Sequence, residues 1–481
     1  MEHHTELLRE LEEHFGYTSF KPGQEEVLTH LFNGRSVLGI LPTGVGKSLC
    51  YQLYGYAGPG RVLVVSPLIS LMQDQVENLR LMGEKGVVAL VSELEPADRR
   101  RILDGLDACR FVFVSPEMLN ARDVAGALQR WQPALFVVDE AHCISTWGPD
   151  FRPDYLSLGR AVQRLGGPLV LALTATATRK VEEDICRTLF PLHQPEIVRC
   201  PVDRQNIYLA VDKVEDETQK NSRLIELLTG LKGPALVYFS SKRKADGLSR
   251  FIRERTGLRT APYHAGMPFD ERYSVLQQFL HDELDVVCAT SAFGMGINKP
   301  DIRCVIHYHL PSDLENYVQE FGRASRDGRR GAAILLYQES DVRLQEYLIE
   351  NALPTAQDVD FYMKSPAVMR RRLKQDDRFV LIDRYLRSGL GAGEMQSLVT
   401  RRLAERRRAL SSMRGYAETK GCLRQFISGY FGDFPPAGQE FCCSRCSGEP
   451  DFAGMGLAAG KREEKKTSAP GYKEIIRNLF A

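Results

Sequence analysis

Between residues 35 and 340, short apolar runs rich in Val and Leu alternate with polar stretches of helical length. Uninterrupted short apolar runs predict strands buried on both faces, and strands that alternate with helices predict a parallel sheet covered by helices. The first half predicts strands at residues 36–41, 62–66, 111–115, 135–139 and 169–173. A second series begins after Pro201, at residues 235–239, 286–289, 304–308 and 332–337. The polar stretch 212–221 offers few residues able to form a core, which sets the expected division near residue 203. Beyond residue 340 the strand pattern stops, and helical, Arg-rich sequence runs to about residue 420. The expected order is an α/β domain over 1–203, a second over 204–340, a helical module over 341–447 and a loose tail over 448–481 with a short helix at 472–480. Two α/β halves of similar size suggest a structural duplication, without any fixed short repeat.

A chain of 481 residues, 43% hydrophobic and 26% charged, buries several separate cores. No run of eighteen apolar residues occurs, and residues 1–10 are polar rather than a basic start followed by an apolar stretch. A cytoplasmic protein without membrane association is the expectation. Eleven cysteines, most of them scattered singly, fit reduced thiols better than a disulfide framework. The net charge of +1 gives no global argument for nucleic acid, but the distribution is uneven. Residues 364–425 carry sixteen Lys/Arg against six Asp/Glu. Clusters such as Arg370-Arg371-Arg372 and Arg406-Arg407-Arg408 suit a phosphate backbone, with a solvated helical face as the alternative.

The strongest chemical pattern is Thr43-Gly44-Val45-Gly46-Lys47-Ser48, directly after a predicted strand and before a helix. Backbone N–H groups of such a loop cradle phosphates, the lysine reaches the β and γ phosphates, and the serine hydroxyl reaches magnesium. The full phosphate-loop pattern is not met, because Leu41 stands five positions before Gly46 where glycine is usual. Some ninety residues on, Val138-Asp139-Glu140-Ala141-His142 ends another apolar strand. Asp139 there is placed to hold magnesium and Glu140 to orient the attacking water, although an acidic pair at a strand end also serves as a helix N-cap. Together the two patterns point to nucleotide hydrolysis.

More motifs accompany these. Phe15-Gly16-Tyr17 and Phe20-Lys21-Pro22-Gly23-Gln24 precede the phosphate loop; Ser66-Pro67-Leu68-Ile69-Ser70-Leu71-Met72-Gln73-Asp74-Gln75, Ser115-Pro116-Glu117 and Leu173-Thr174-Ala175-Thr176-Ala177 follow it. Ala289-Thr290-Ser291-Ala292-Phe293-Gly294-Met295-Gly296-Ile297-Asn298-Lys299-Pro300 and Gln319-Glu320-Phe321-Gly322-Arg323-Ala324-Ser325-Arg326-Asp327-Gly328 lie in the second half. In this order the motifs closely resemble the core of a RecQ-family DNA helicase of superfamily two. The resemblance implies two tandem RecA-like domains followed by a small helical zinc-binding module. It implies that Tyr17 stacks on adenine, with Lys21 and Gln24 hydrogen-bonding the base or phosphates. It also implies that Arg326, with Arg323 alongside, reaches across a cleft between the domains to the γ-phosphate of ATP, where such an arginine contributes roughly a thousandfold or more in rate. Movement 3′ to 5′ along single-stranded DNA, unwinding of forked duplexes, and service in recombination and repair follow from the same resemblance.

The segment His142-Cys143-Ile144-Ser145-Thr146-Trp147-Gly148-Pro149-Asp150-Phe151-Arg152 is similar to the family's aromatic-rich loop, with Pro149 where histidine is frequent. Trp147, Phe151 and Arg152 would there stack on unpaired bases and contact phosphate, and His142 would carry that signal to the carboxylates. Cys422, Cys442, Cys443 and Cys446 suit a tetrahedral zinc site, and the preceding Cys422-Leu423-Arg424 and Tyr430-Phe431-Gly432 resemble the family's segment. Adjacent Cys442 and Cys443 replace two C-x-x-C steps, with Glu440 and Glu449 at the regular spacings, so the place of Cys442 in the ligand set stays open. Only 35 residues follow Cys446, which predicts a shortened member without a winged-helix domain. Two other readings remain at this stage: a motor of the same fold acting on RNA, or a DNA-binding protein whose turnover is disabled by Val45 and Ser325, both at positions where glycine is usual.

Overall fold

The computed structural model describes residues 2–58, 60–145, 153–191, 193–294, 297, 299–387, 389–433 and 441–459. Trp147, Phe151, Arg152, Glu440 and the expected helix at 472–480 lie outside them. Among the described residues the strands form two parallel sheets. The first contains β1 (Val37–Ile40), β2 (Val62–Val65), β3 (Val87–Leu90), β4 (Phe111–Val114), β5 (Leu135–Val138), β6 (Leu169–Thr174) and β7 (Glu196–Arg199), in the order β3-β4-β2-β5-β6-β1-β7. The second contains β8 (Ile207–Lys213), β9 (Ala235–Tyr238), β10 (Thr260–Tyr263), β11 (Val286–Ala289), β12 (Cys304–His307) and β13 (Gly331–Tyr337), in the order β10-β11-β9-β12-β13-β8.

Sequence made the inner strands readable because both faces are covered. In β2, Leu63 and Val65 enter one core cluster while Val62 and Val64 enter the other. Phe111 and Phe113 of β4 likewise oppose Val112 and Val114. Each such side chain contributes about 1.5–3 kcal/mol on burial. The four strands that the apolar pattern missed, β3, β7, β8 and β10, are the four sheet edges. An edge strand has one neighbour and tolerates polar residues and proline, as in Glu196–Arg199 and in Thr260–Tyr263 with Pro262.

The chain forms two compact units. The first comprises residues 1–203, 346–409 and 427–435; the second comprises 204–345, 410–426 and 436–481. Residues 341–447 therefore contribute to both. Within the first unit, the helices Ala356–Lys364 and Asp377–Arg387 and the start of the 27-residue helix Ala392–Glu418 carry their own core, which includes Val359, Tyr362, Phe379, Ile382, Tyr385, Met395 and Val399. Thr355 and Asp358 open the first of these helices with a reciprocal capping box. In the second unit, the stretch 212–221 is not the core-poor divider its polarity predicts. Lys220 is 1% exposed and pairs with Asp341 Oδ2 at 2.8 Å. A buried charge with a buried partner is invisible to a hydrophobicity count. No helix among the described residues is long and apolar enough to cross a membrane.

Candidate functional site

The phosphate-loop residues leave β1 and enter the helix Ser48–Ala57. Gly44 (φ 86°) and Gly46 (φ 76°) hold left-handed backbone that a side chain would strain. No side chain caps the first turn of that helix; the N–H groups of Leu49 and Cys50 donate to the carbonyls of Gly46 and Lys47, so what the turn offers an anion is the N–H groups ahead of Leu49 and the positive end of the helix dipole. Val45 is absent from the left-handed positions and is buried in the core cluster with Leu49 and Val27, so a β-branched residue fits where glycine is usual. Thr43, Lys47 and Ser48 are partly exposed beside it.

Gln24 braces this loop from behind. It is 2% exposed, and its Nε2 donates to the carbonyls of Val45 (2.7 Å) and Gly46 (3.0 Å) while its Oε1 accepts from Lys21 N (2.8 Å). Lys21 Nζ donates to Gly44 O at 3.2 Å. Both residues thus hold the loop in its cradle shape, a role the motif alone does not disclose. Tyr17, 58% exposed, presents an open ring of the kind that stacks on a base.

In the first sheet β6 lies between β1 and β5, so the phosphate loop and Asp139 flank the end of β6. Burial and the neighbouring Glu140 push the Asp139 carboxyl up to about 7, against the opposing pull of Lys47. A carboxylate strained in this way is one that a divalent cation would relieve, and Ser48 and Asp139 supply hard oxygen donors suited to magnesium. Asp139 Oδ1 accepts from Glu140 N at 3.0 Å, and Glu140 itself is left-handed at φ 50°. Thr174 at the end of β6 donates its hydroxyl to Thr176 O (3.1 Å) and therefore accepts from His142 Nδ1 (3.0 Å), which places the ring proton on Nδ1. Glu140 Oε2 lies 3.3 Å from the same nitrogen. Thr174, part of the motif Leu173–Ala177 but without a role of its own in the sequence reading, is thus a member of the site.

In the second unit the helix Leu314–Phe321 carries Gln319 and leads into the turn holding Arg323 and Arg326. Arg323 is 6% exposed, and its Nε and Nη1 have no hydrogen-bond partner among the described residues. Arg326 Nη1 donates to Ile297 O at 2.9 Å. Arg204 holds the turn by donating to the carbonyls of Gly322 (3.1 Å) and Ser325 (2.9 Å). Ser325 sits at φ 49°, which explains why glycine is usual there. Its hydroxyl compensates by accepting from Arg303 Nη1 (3.2 Å) and donating to Arg330 O (3.1 Å). Glu320 Oε2 accepts from His307 Nε2 at 2.9 Å, and His307 stacks on Tyr238.

Cys422, Cys442, Cys443 and Cys446 place their sulfurs within 4.8 Å of one another. The contacts are 3.5 Å for Cys422–Cys442, 3.9 Å for Cys422–Cys443 and 3.6 Å for Cys443–Cys446. Four sulfurs about 2.3 Å from a tetrahedral zinc lie about 3.8 Å apart, so the cluster fits that ion. Cys442 belongs to the cluster, whereas Glu449 turns toward Arg223 at 3.5 Å. Many of the basic residues between the motor and this cluster serve structure. Arg370 donates to Ser365 O and Met363 O, Arg424 is buried and donates to Ile207 O at 2.6 Å, and Arg407 pairs with Glu350. Arg371, Arg372 and Arg401 remain exposed.

Comparison with known proteins agrees with these features. Residues 21–184 match the DEAD/DEAH box helicase family, residues 219–328 the helicase conserved C-terminal domain, and residues 382–447 the RecQ zinc-binding family. The probable ATP-dependent DNA helicase RecS of Bacillus subtilis is 40% identical, over 92% of this chain and 92% of its own length. The ATP-dependent DNA helicase RecQ of the same organism is 33% identical over 91% of this chain, which spans 65% of that protein. Among solved structures, the helicase Lhr of Mycobacterium smegmatis bound to single-stranded DNA and AMP-PNP superposes with a TM-score of 0.58 over 72% of this chain and 49% of its own, at 23% identity, a likeness of fold.

Proposed function

This chain belongs to the RecQ family of helicases, and from that membership we propose that it is an ATP-dependent DNA helicase that moves 3′ to 5′ on single-stranded DNA and unwinds forked duplexes in the cytoplasm, in recombination and repair. The observation that carries the reading is the arrangement at the end of one sheet. A glycine-shaped loop ending in Lys47 and an acidic pair at Asp139 and Glu140 flank β6, whose Thr174 fixes His142. In this reading Lys47 and the loop N–H groups hold the β and γ phosphates, and Glu140 orients the attacking water. Magnesium, when bound by Ser48 and Asp139, supplies neutralisation of phosphate charge. Arg326 and Arg323, with Gln319, act on the γ-phosphate, and Trp147, Phe151 and Arg152 grip the strand. Zinc on Cys422, Cys442, Cys443 and Cys446 would staple its segment to β8, beside which Cys443 lies.

The test is ATP hydrolysis by the purified protein with and without single-stranded DNA, with Lys47→Ala as the control for a contaminating ATPase. DNA stimulation that vanishes in the variant supports the motor. No hydrolysis in either condition refutes it, and stimulation by RNA equal to that by DNA refutes the choice of substrate.

A further inference from the structure

Ser145 ends the turn that carries His142 and lies in the segment 142–152 that resembles the aromatic-rich loop, directly before Thr146 and Trp147 in sequence. Its N–H donates to His142 O at 3.0 Å, closing the 3-10 helix Ala141–Ile144. Its hydroxyl donates to Asp184 Oδ2 at 2.6 Å, and its carbonyl accepts from Arg402 Nη1 at 3.0 Å. Each polar group of this serine is therefore engaged, two of them by elements distant in sequence. Arg402 belongs to the long helix Ala392–Glu418 and also donates to Glu405 Oε2 at 3.0 Å. Glu405 in turn pairs with Lys180, on the same helix Arg179–Leu189 that carries Asp184. The helix Arg179–Leu189 thus holds the Ser145 hydroxyl through Asp184, and the long helix holds the Ser145 carbonyl through Arg402, with the Lys180–Glu405 pair linking the two helices.

Exposed ion pairs do little for a fold. Here only 11% of the Arg402 side chain and 18% of that of Glu405 are exposed, and Arg402 spends a charge-assisted bond on a backbone carbonyl. Such a bond fixes main chain. The catalytic groups do not need it for their own placement, since Lys47 and Asp139 are held by β1 and β5 and His142 by Thr174. What it fixes is the junction between His142 and the segment that follows Ser145.

We propose that Arg402 and Glu405 are positioning residues that couple DNA engagement to ATP hydrolysis, by pinning the Ser145 junction through which a signal from the bound strand reaches His142. The inference rests on the helicase reading above. A pinned junction transmits displacement of the strand-binding segment to the catalytic turn, and a loose one absorbs it. Basal hydrolysis is then independent of Arg402, and the stimulated rate is not.

The experiment measures ATP hydrolysis against the concentration of an oligothymidylate strand for the full chain. For Arg402→Ala the expected result is an unchanged basal rate, an unchanged DNA concentration for half-stimulation and a DNA-stimulated kcat lower by roughly tenfold, inside the roughly 5- to 150-fold range of measured couplings. Glu405→Gln, which removes the carboxylate that accepts from Arg402, should lower the stimulated kcat in the same direction and leave the basal rate unchanged. Full stimulation in Arg402→Ala, an equal fall in basal and stimulated rates, or full stimulation in Glu405→Gln overturns the proposal. Should Arg402→Ala fail to fold, Glu405→Gln decides alone. A wild-type enzyme that DNA does not stimulate sinks the helicase reading instead, so the two failures are distinct.

Discussion

Replacing Asp139 by asparagine should make the resting protein more stable while abolishing its catalysis. The carboxyl of Asp139 is raised from its ordinary 3.8 to about 7, first by burial and then by Glu140. Between those values the folded state binds a proton that the unfolded state has released, so stability falls as pH rises from about 4 to about 7 and stays lower above it. The difference, 7 − 3.8, at about 1.4 kcal/mol per pH unit amounts to about 4 kcal/mol above pH 8. At pH 5.5 the same relation leaves about 2 kcal/mol. Asparagine keeps the shape and an acceptor oxygen for Glu140 N without the charge. Thermal melting in magnesium-free buffer should show Asp139→Asn melting about 10 °C above wild type at pH 8.5, at about 2–4 °C per kcal/mol for a unit of this size, and about half as much above it at pH 5.5. Magnesium with a non-hydrolysable ATP analogue should stabilise wild type and not the variant. A variant no more stable than wild type at pH 8.5, or one equally stabilised at both pH values, would refute the reasoning.

Other perturbations follow from the same geometry. Gln24→Ala removes two hydrogen bonds to the phosphate loop, worth about 2 kcal/mol together, and should raise the KM for ATP by about tenfold or more in steady-state hydrolysis while leaving the fold intact; an unchanged KM would show that the loop keeps its shape unaided. Thr174→Val removes the partner that keeps the His142 proton on Nδ1, and should lower the DNA-stimulated kcat by about tenfold, the worth of about 1.4 kcal/mol; an unchanged kcat would remove His142 from the catalytic turn. Elemental analysis should find one zinc per chain, and chelation or Cys443→Ser should lower the melting temperature of the second unit, as expected of an ion that contributes roughly 10 kcal/mol to its segment. Protein purified without zinc and indifferent to chelators would refute the metal site.

The inner strands and the chemical motifs were legible because each is dictated locally: two-sided burial requires an apolar run, and a phosphate cradle requires glycine at Gly44 and Gly46. The edge strands were not, since half of their surroundings is solvent or helix. Lys220 and Asp341 could not be read as interior, because a charge declares itself buried only beside its partner, 121 residues away. Gln24 was legible as a motif member but not as a brace, since its contacts depend on how the chain folds back. Cys442 was undecided from spacing because the left-handed Phe441 (φ 57°) turns the chain just before it, and that turn brings its sulfur to the cluster. The 3.5 Å contact with Cys422 is a tertiary fact.

The first unit is assembled from three separated stretches of chain, the last ending at residue 435, and Val202 N donates to Asp433 Oδ2 at 2.7 Å. During synthesis that unit therefore waits for its final piece. At about 5–20 residues per second, the roughly 230 residues between positions 203 and 435 take about 12–45 s to emerge. For that interval the sheet is already covered by helices from within residues 1–203, but the groups that later meet the remaining pieces, among them Val202 N, the Ser145 carbonyl and Lys180, face solvent without their partners. Synonymous codon changes that slow translation between these positions should lower the yield of soluble protein without changing a single residue of it.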